Sequence, residues 1–129
     1  MSEKEGWKPI VASSLDWEQA HMSLENAVAG LAPELRSKKP TSLPHSVWDI
    51  VEHIRIAQHD LLDFCTNADY HHDLVWPDDY WPKEEGSVSD ADWNRSIAEF
   101  KREREELKAF ATEKGRDLTA MIPTGTGQT

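Results

Sequence analysis

The stretch that decides the fold lies at residues 46–65 and reads SVWDIVEHIRIAQHDLLDFC. Its apolar residues recur every three or four positions, which is the spacing of one face of an α-helix: Val47, Ile50, Val51, Ile54, Ala57, Leu61, Phe64 and Cys65. Ser46 and Asp49 stand three residues apart at its start, the spacing of a capping box that satisfies the first backbone N–H groups of a helix. The stretch therefore predicts a long amphipathic helix over residues 46–65.

A helix is also predicted upstream, over residues 15–31. Apolar residues recur there at helical spacing: Trp17, Ala20, Leu24, Ala27, Val28 and Leu31. Ser13, followed three residues later by Asp16, resembles a second capping box, and Gly30 marks the end because glycine commonly terminates helices. A linker over residues 33–44 follows, too rich in proline for a continuous helix.

A third helix is predicted over residues 89–114. It begins at Ser89, which has Asp92 three residues on, and it ends at Gly115. Its inward residues again have helical spacing: Trp93, Ile97, Phe100, Leu107, Phe110 and Ala111. No alternating pattern long enough for a strand is present. We therefore expect one all-α domain over residues 1–129, an up-and-down bundle with three main helices.

Residues 66–88 connect the second and third predicted helices and show no period. They are rich in aromatic residues and proline, as in WPDDYWP at residues 76–82. A connection of this length in a small domain is usually functional or packed by its own side chains. Residues 66–88 are therefore predicted to be functional or to be packed by their own side chains.

The composition narrows the classes of function. A formal net charge of −10 repels phosphate backbones, so nucleic acid is not an expected partner. No stretch approaches the roughly 18 apolar residues of a membrane span, and the first residues lack the apolar core of a secretion signal. Cys65 is the single cysteine, which rules out an internal disulfide and fits a small buried side chain in a reducing compartment. We therefore expect the cytoplasm, with no membrane partner.

Six histidines raise the question of a metal site. His53 lies beside the apolar stripe of the second predicted helix, and Asp49 lies one turn before it on the same side. A histidine there can point into a bundle crevice while a carboxylate fixes its tautomer. The alternative is a histidine held by a hydrogen bond at the edge of the core. His21 is a weaker metal candidate at the edge of the first predicted helix, where a surface pair with Glu25 is the alternative.

The other histidines are not expected to bind a metal. His59 falls on the polar face of its helix, and His45 precedes the capping residue, so both are predicted to face solvent or to cap. His71 and His72 are adjacent in a loop, where neighbouring side chains diverge. A dedicated transition-metal site needs three or four convergent ligands, and the chain contains no pair of histidines with HxxxH spacing. It also contains no P-loop, GxGxxG, GxSxG or CxxC motif, so the residues alone predict an acidic helical domain without a defined reaction.

Taken together and in order, four segments resemble the DinB-like superfamily, the damage-inducible, YfiT-related four-helix bundles. Residues 20–31 are similar to the first helix of that family, and residues 43–58 to the start of its second helix. Residues 76–82 are similar to its middle loop, and residues 122–129 to the approach to its last helix. The resemblance covers nearly the whole chain.

This resemblance implies a divalent metal, often nickel or zinc, held by three histidines. One of these histidines matches His53. The other two belong to an HxxxH motif on a fourth helix, which would begin after Thr129 and is missing from this sequence; many relatives also carry a histidine where this chain has Thr124. Because a single imidazole does not form a tight site, we expect weak or no metal binding by this chain.

The resemblance implies an activity only as a class. Family members include transferases and isomerases that use low-molecular-weight thiols, which a bound metal deprotonates to the nucleophilic thiolate. We expect this chain to be a catalytically incomplete relative of them, and the alternatives are a noncatalytic interaction module and an acidic binding protein without metal. Without a fourth helix, apolar residues such as Ile50 and Ile54 would be open, which predicts a homodimer or other self-association. The competing outcome is that residues 118–129 fold back over this groove and leave a monomer.

Overall fold

In a computed structural model of the chain, residues 3–16, 18, 21–84 and 86–129 are described. They contain four α-helices, which we number in chain order: α1 Glu3–Ser14, α2 Leu24–Ala27, α3 Val47–Thr66 and α4 Asp90–Thr112. Single turns of 3-10 helix lie at Pro33–Leu35 and Asp78–Tyr80. Within these ranges there is no strand, and no helix is long and apolar enough to cross a membrane. The predicted all-α helical bundle is confirmed.

Helix α3 begins where the sequence predicted. The Oγ of Ser46 accepts a hydrogen bond from the backbone N–H of Asp49 at 3.1 Å, and the Asp49 carboxylate accepts one from the backbone N–H of Ser46 at 2.9 Å. These two bonds form the expected capping box. Helix α4 is also confirmed: Ser89 caps it by accepting from Asp92, and it ends shortly before Gly115, whose φ of 83° lies in the left-handed region that favours glycine.

The predicted first helix, over residues 15–31, is wrong. Among the described residues of that range, only Leu24–Ala27 are helical, as the single turn of α2, and the longer helix α1 comes before it, with Ser13 inside α1 and not at a cap. Trp17 and Ala20, which began the predicted stripe, lie outside the described residues.

Local hydrogen bonds explain why a long helix does not form there. The Glu18 carboxylate accepts from the backbone N–H of Ser23 and from the side chain of Asn26, which ties Glu18 to the start of α2. Ser23 then caps α2, and Gly30, with a φ of 76°, lies just beyond it. Val28 and Leu31 still line a depression beside α4. These two residues of the predicted apolar stripe therefore lie beside α4 without belonging to a helix.

Four contacts show that the described residues before α3, which we call the N-terminal segment, run along α4 in the opposite direction. They join Lys8 to Glu113, Asp16 to Lys108, Glu25 to Arg104 and Arg36 to Asp90. From the first pair to the last, the residue number in the N-terminal segment rises while the number of its partner at α4 falls. Helix α1 is therefore antiparallel to α4.

Helices α3 and α4 run in the same direction. Their contacts rise together along both chains, from Glu52 with Ser96 through Gln58 with the Phe100 carbonyl to His59 with Glu103. Residues 67–89, which we call the connection, must therefore return along α3, a helix of 20 residues that is about 30 Å long. The up-and-down alternation applies to α1 and α3 but not to α3 and α4.

The core lies between α3 and α4 and beneath the connection. Its buried apolar residues are Val51, Leu62, Tyr80, Trp93, Phe100, Leu107 and Ala111. The carboxylate of Glu52 is also buried there, and it accepts hydrogen bonds from Ser96 and Arg55. Its two partners compensate for the cost of removing the charge from water.

Candidate functional site on helix α3

His53 is half-buried where the connection packs against α3. Its Nδ1 lies 2.7 Å from the backbone carbonyl oxygen of Tyr80. A carbonyl oxygen can only accept, so Nδ1 carries the proton, and in the neutral imidazole Nε2 then has the free lone pair. Metal-ligating histidines commonly have this arrangement, with one nitrogen held by a carbonyl and the other available to the ion.

The indole of Trp81 lies between two histidines. Its ring stacks on His53 with centroids 3.9 Å apart and planes 9° apart, and on His45 with centroids 3.8 Å apart and planes 7° apart. Two imidazoles on one face of a single indole would overlap, so they occupy opposite faces. His45, which was expected to face solvent or to cap the helix, has a side chain that is 39% exposed and that also stacks on Trp81. It holds the connection against α3 together with His53.

Asp60, also on α3, binds both tyrosines of the chain. The Tyr80 hydroxyl donates to it at 2.6 Å and the Tyr70 hydroxyl at 2.8 Å. Burial, together with the neighbouring Asp60 carboxylate, raises the pKa of Tyr80 to about 12 and raises the pKa of Tyr70 further. These two bonds and the Trp81 stack fix the backbone that carries the Tyr80 carbonyl, and so they position His53.

Trp76 forms an exposed rim beside His53. Its side chain is 68% exposed, its ring lies edge-on to Tyr80, and its centroid is 6.3 Å from that of His53. An exposed indole of this size next to a histidine with a free nitrogen gives the site an apolar border open to solvent.

The structure does not bring the weaker metal candidate to this place. His21 is exposed on the N-terminal segment, and Glu25 is bound by both terminal nitrogens of Arg104. His59 agrees with its predicted exposed position and binds Glu103 on the α4 side. In the described part of the chain, no group of three His, Cys, Asp or Glu side chains could hold a metal. The donor set that His53 offers is thus one imidazole nitrogen, which fits a divalent metal only in part.

Two cavities lie at the carboxyl end of α3. The larger, about 730 Å³, is lined by Phe64, Cys65, Phe110 and Arg116, among others. Cys65 is half-buried, and burial raises the pKa of its thiol, which disfavours the reactive thiolate. The smaller, about 520 Å³, is lined in part by His71, His72 and Thr124.

Thr124 stands where the family resemblance implied a histidine. Its hydroxyl donates to the Phe64 carbonyl at 3.1 Å, near the carboxyl end of α3 and about three turns from His53. Residues 122–128 form a compact loop there, closed by a bond from the Ile122 N–H to the Gln128 carbonyl. In the described residues, this loop and not a helix follows α4.

The fold and this site define a class of protein: a helical bundle whose longest connection packs on a central helix beside a histidine with a fixed tautomer. The sequence profile of the DinB superfamily matches residues 16–128, which is most of the chain. The chain therefore belongs to the DinB superfamily. No curated protein and no solved structure gave a match.

Proposed function

We propose that this chain is a metal-binding DinB-type protein in which His53 is the metal-ligating histidine. The observation that carries the proposal is the bond from His53 Nδ1 to the Tyr80 carbonyl, which leaves Nε2 as the free donor. Nickel and zinc both accept imidazole nitrogen. The Trp81 stack supports the proposal further, because it holds the imidazole plane in one orientation.

Binding by the chain alone is expected to be weak. One imidazole supplies one of the three or four ligands of a tight site, and the remaining positions would be filled by water or by groups outside the described residues. Metal binding also requires neutral imidazole, so acidification weakens it. We place the protein in the cytoplasm, on the ground that its single cysteine fits a reducing compartment.

Thiol transfer stays an expectation drawn from the family. A bound metal would supply a deprotonated thiol as the nucleophile. The residues around His53 supply orientation and an apolar border, and we assign none of them to binding a thiol. The proposal is therefore metal binding and not a defined reaction.

Isothermal titration with nickel or zinc at neutral pH tests this proposal. We expect weak binding to the unmodified chain and its loss in His53→Gln, whose amide can still donate to the Tyr80 carbonyl but is a poor ligand for these metals. His59→Gln, a change of the same kind on the α4 side of α3, is the control and should bind as the unmodified chain does. Loss of binding in His71→Ala with full binding in His53→Gln would overturn the assignment. Submicromolar binding that depends on His53 would show that further ligands were missed.

A further inference from the structure

The larger cavity at the carboxyl end of α3, which we call the terminal cavity, has no part in the proposed metal site. Its volume of about 730 Å³ is in the range of sites that hold small molecules, and it lies about three turns of α3 away from His53. Residues of α3, of α4 and of the segment after α4 line it. We propose that the terminal cavity binds an uncharged aromatic molecule with a hydroxyl or N–H donor, such as a phenol.

Phe64 of α3 and Phe110 of α4 form the aromatic walls of the terminal cavity, and both are half-buried. The ring of Tyr70 lies edge-on to Phe64, with centroids 5.5 Å apart. A Cβ atom at Gly125 would lie 2.8 Å from the Phe64 ring, so the backbone there lies directly against it. The guanidinium of Arg116 lies 3.7 Å from the centroid of the Phe110 ring. Both rings are thus held in place before a ligand binds, which favours a planar aromatic ligand.

The charges of the lining favour an uncharged ligand. Of the described residues that line the terminal cavity, Glu113 and Arg116 are the only charged ones, and they form an ion pair with each other. Cys65 adds no charge, because burial raises the pKa of its thiol. An anion attracted by Arg116 would meet the Glu113 carboxylate, a cation attracted by Glu113 would meet Arg116, and either ion would lose its hydration. An uncharged molecule has neither cost.

The hydroxyl groups of the lining favour a ligand that donates a hydrogen bond. The Thr66 hydroxyl donates to the Leu62 carbonyl at 2.7 Å, and the Thr124 hydroxyl donates to the Phe64 carbonyl at 3.1 Å. A hydroxyl group has one hydrogen, so these two oxygens can only accept from a ligand. A phenolic hydroxyl supplies that donor. An aromatic molecule without a donor would leave the two acceptors unpaired wherever it excludes water.

Isothermal titration and protection of Cys65 test the site with 2-naphthol as the probe, in the presence of a chelator so that no metal contributes. Cys65 is the single cysteine and lines the terminal cavity, so its rate of alkylation by N-ethylmaleimide reports on this place alone. 2-Naphthol should bind at one site per chain and slow the alkylation to a saturating limit. Naphthalene-2-carboxylate, an anion of similar shape, should bind more weakly. Equal or tighter binding of the anion overturns the proposal, and so does the absence of protection by 2-naphthol.

A change at the rim of the terminal cavity tests the location of the site. Ala109 is exposed on α4 and lines the cavity, so Ala109→Trp should fill the space and abolish binding of 2-naphthol. Ala98→Trp is the control: it places the same side chain on nearly the same face of α4, about three turns earlier, and should leave binding unchanged. Circular dichroism of both variants checks that the helices are retained. Binding that persists in Ala109→Trp overturns the proposal, since the site would then lie elsewhere.

The donor requirement is tested by Thr66→Val combined with Thr124→Val, which keeps the shape of both side chains and removes the two acceptors. The affinity for 2-naphthol should fall about fivefold. Thr112→Val is the control, because the Thr112 hydroxyl makes the same kind of bond, to the Lys108 carbonyl at 2.8 Å, outside the cavity. Unchanged affinity in the double variant contradicts the donor requirement. None of these outcomes depends on His53, so metal binding and binding of 2-naphthol can fail separately.

Discussion

At the scale of single residues, the chemistry of His53 is set by a backbone carbonyl and an indole, without a carboxylate. The sequence suggested Asp49 as the group that fixes its tautomer, since it lies one turn earlier. In the structure Asp49 caps α3 instead, and the Tyr80 carbonyl takes that role. A residue 27 positions away thus determines which nitrogen is free.

The ionisation of the two tyrosines tests how firmly the connection is held. Absorbance at 295 nm should show little tyrosinate in the native protein near pH 10 to 11, because burial and Asp60 raise both pKa values and that of Tyr80 reaches about 12. In denaturant both tyrosines should titrate near pH 10. Because the native pKa values of both tyrosines are raised, their contribution to the free energy of unfolding is complete below the unfolded pKa of about 10. That contribution is lost as the pH rises through the native pKa values.

Asp60→Asn separates the two causes of these shifts. It removes the negative charge and leaves burial, so the pKa of Tyr80 should fall toward its ordinary value without reaching it. Asp69→Asn, an exposed carboxylate on the same connection, should leave the titration unchanged. Native tyrosines that titrate near pH 10 in the unmodified protein would mean that the bonds to Asp60 do not form.

The edge position of His53 could be predicted from the sequence, but the stack around it could not. Helical spacing placed His53 beside the apolar stripe. The contact of Trp81 with both His45 and His53 joins a residue before α3, a residue within it and a loop residue, and no periodicity relates the three. The one signal that pointed to it was the aromatic composition of residues 76–82.

At the scale of secondary-structure elements, agreement among several local signals separates the correct predictions from the wrong one. Helices α3 and α4 each combine a serine cap, an acid three residues on and a long apolar period, and both fold as predicted. The segment at residues 15–31 has a shorter period and competing polar side chains in Glu18, Ser23 and Asn26. Those side chains bind one another and limit the helix to four residues.

The capping residues of α3 and α4 should contribute different amounts to the free energy of unfolding. Ser46 is buried, and besides accepting from the Asp49 backbone it donates its own backbone N–H to the Asp49 carboxylate. Ser89 is exposed and accepts a single hydrogen bond from Asp92. Ser46→Ala should lower the free energy of unfolding by about 1 to 2 kcal/mol, and Ser89→Ala by about 0.5 to 1 kcal/mol. Urea denaturation followed by circular dichroism measures both. Equal losses would show that the second bond and burial contribute nothing.

Trp81 should be the residue that docks the connection. Trp81→Ala removes the stack with His45 and His53, so amide hydrogen exchange should become faster over residues 70–84 and remain slow in α4. Trp76→Ala is the matched control, since this neighbouring tryptophan is mostly exposed, and it should have a smaller effect. A larger effect from Trp76→Ala would mean that the rim, and not the stack, holds the segment.

At the scale of the whole molecule, α4 is the element on which the others assemble. It contacts α3 on one side and the N-terminal segment on another, and α1 lies before the residues that match the DinB superfamily. The parallel course of α3 and α4 follows from the length of the connection, which returns along α3. Sequence patterns predicted α3 and α4 correctly and missed α1. They contain no information on the relative direction of two helices once the connection between them is long enough for either direction.

The ion pair between Glu25 and Arg104 should make the docking of the N-terminal segment sensitive to acid. The Arg104 guanidinium, which donates two hydrogen bonds, lowers the pKa of the Glu25 carboxyl below its ordinary value of 4.5. The ion pair therefore contributes fully to the free energy of unfolding above the pKa that Glu25 has in the unfolded chain. That contribution is lost as the pH falls through the native pKa of Glu25. Glu25→Gln should cost about 1 kcal/mol at pH 7 and much less at pH 3. Urea denaturation at both pH values measures this, with Glu34→Gln, an exposed glutamate on the same segment, as the control.

The most direct test of the central claim is the tautomer of His53, measured by long-range proton–nitrogen correlation NMR of the imidazole side chains and assigned with the His53→Gln variant. At a pH where His53 is neutral, its Nδ1 should have the chemical shift of a protonated nitrogen and its Nε2 that of a nitrogen with a free lone pair. Substoichiometric nickel should then broaden the His53 signals before those of His59. A neutral His53 with its proton on Nε2 would contradict the account, because the nitrogen proposed to bind metal would then be blocked.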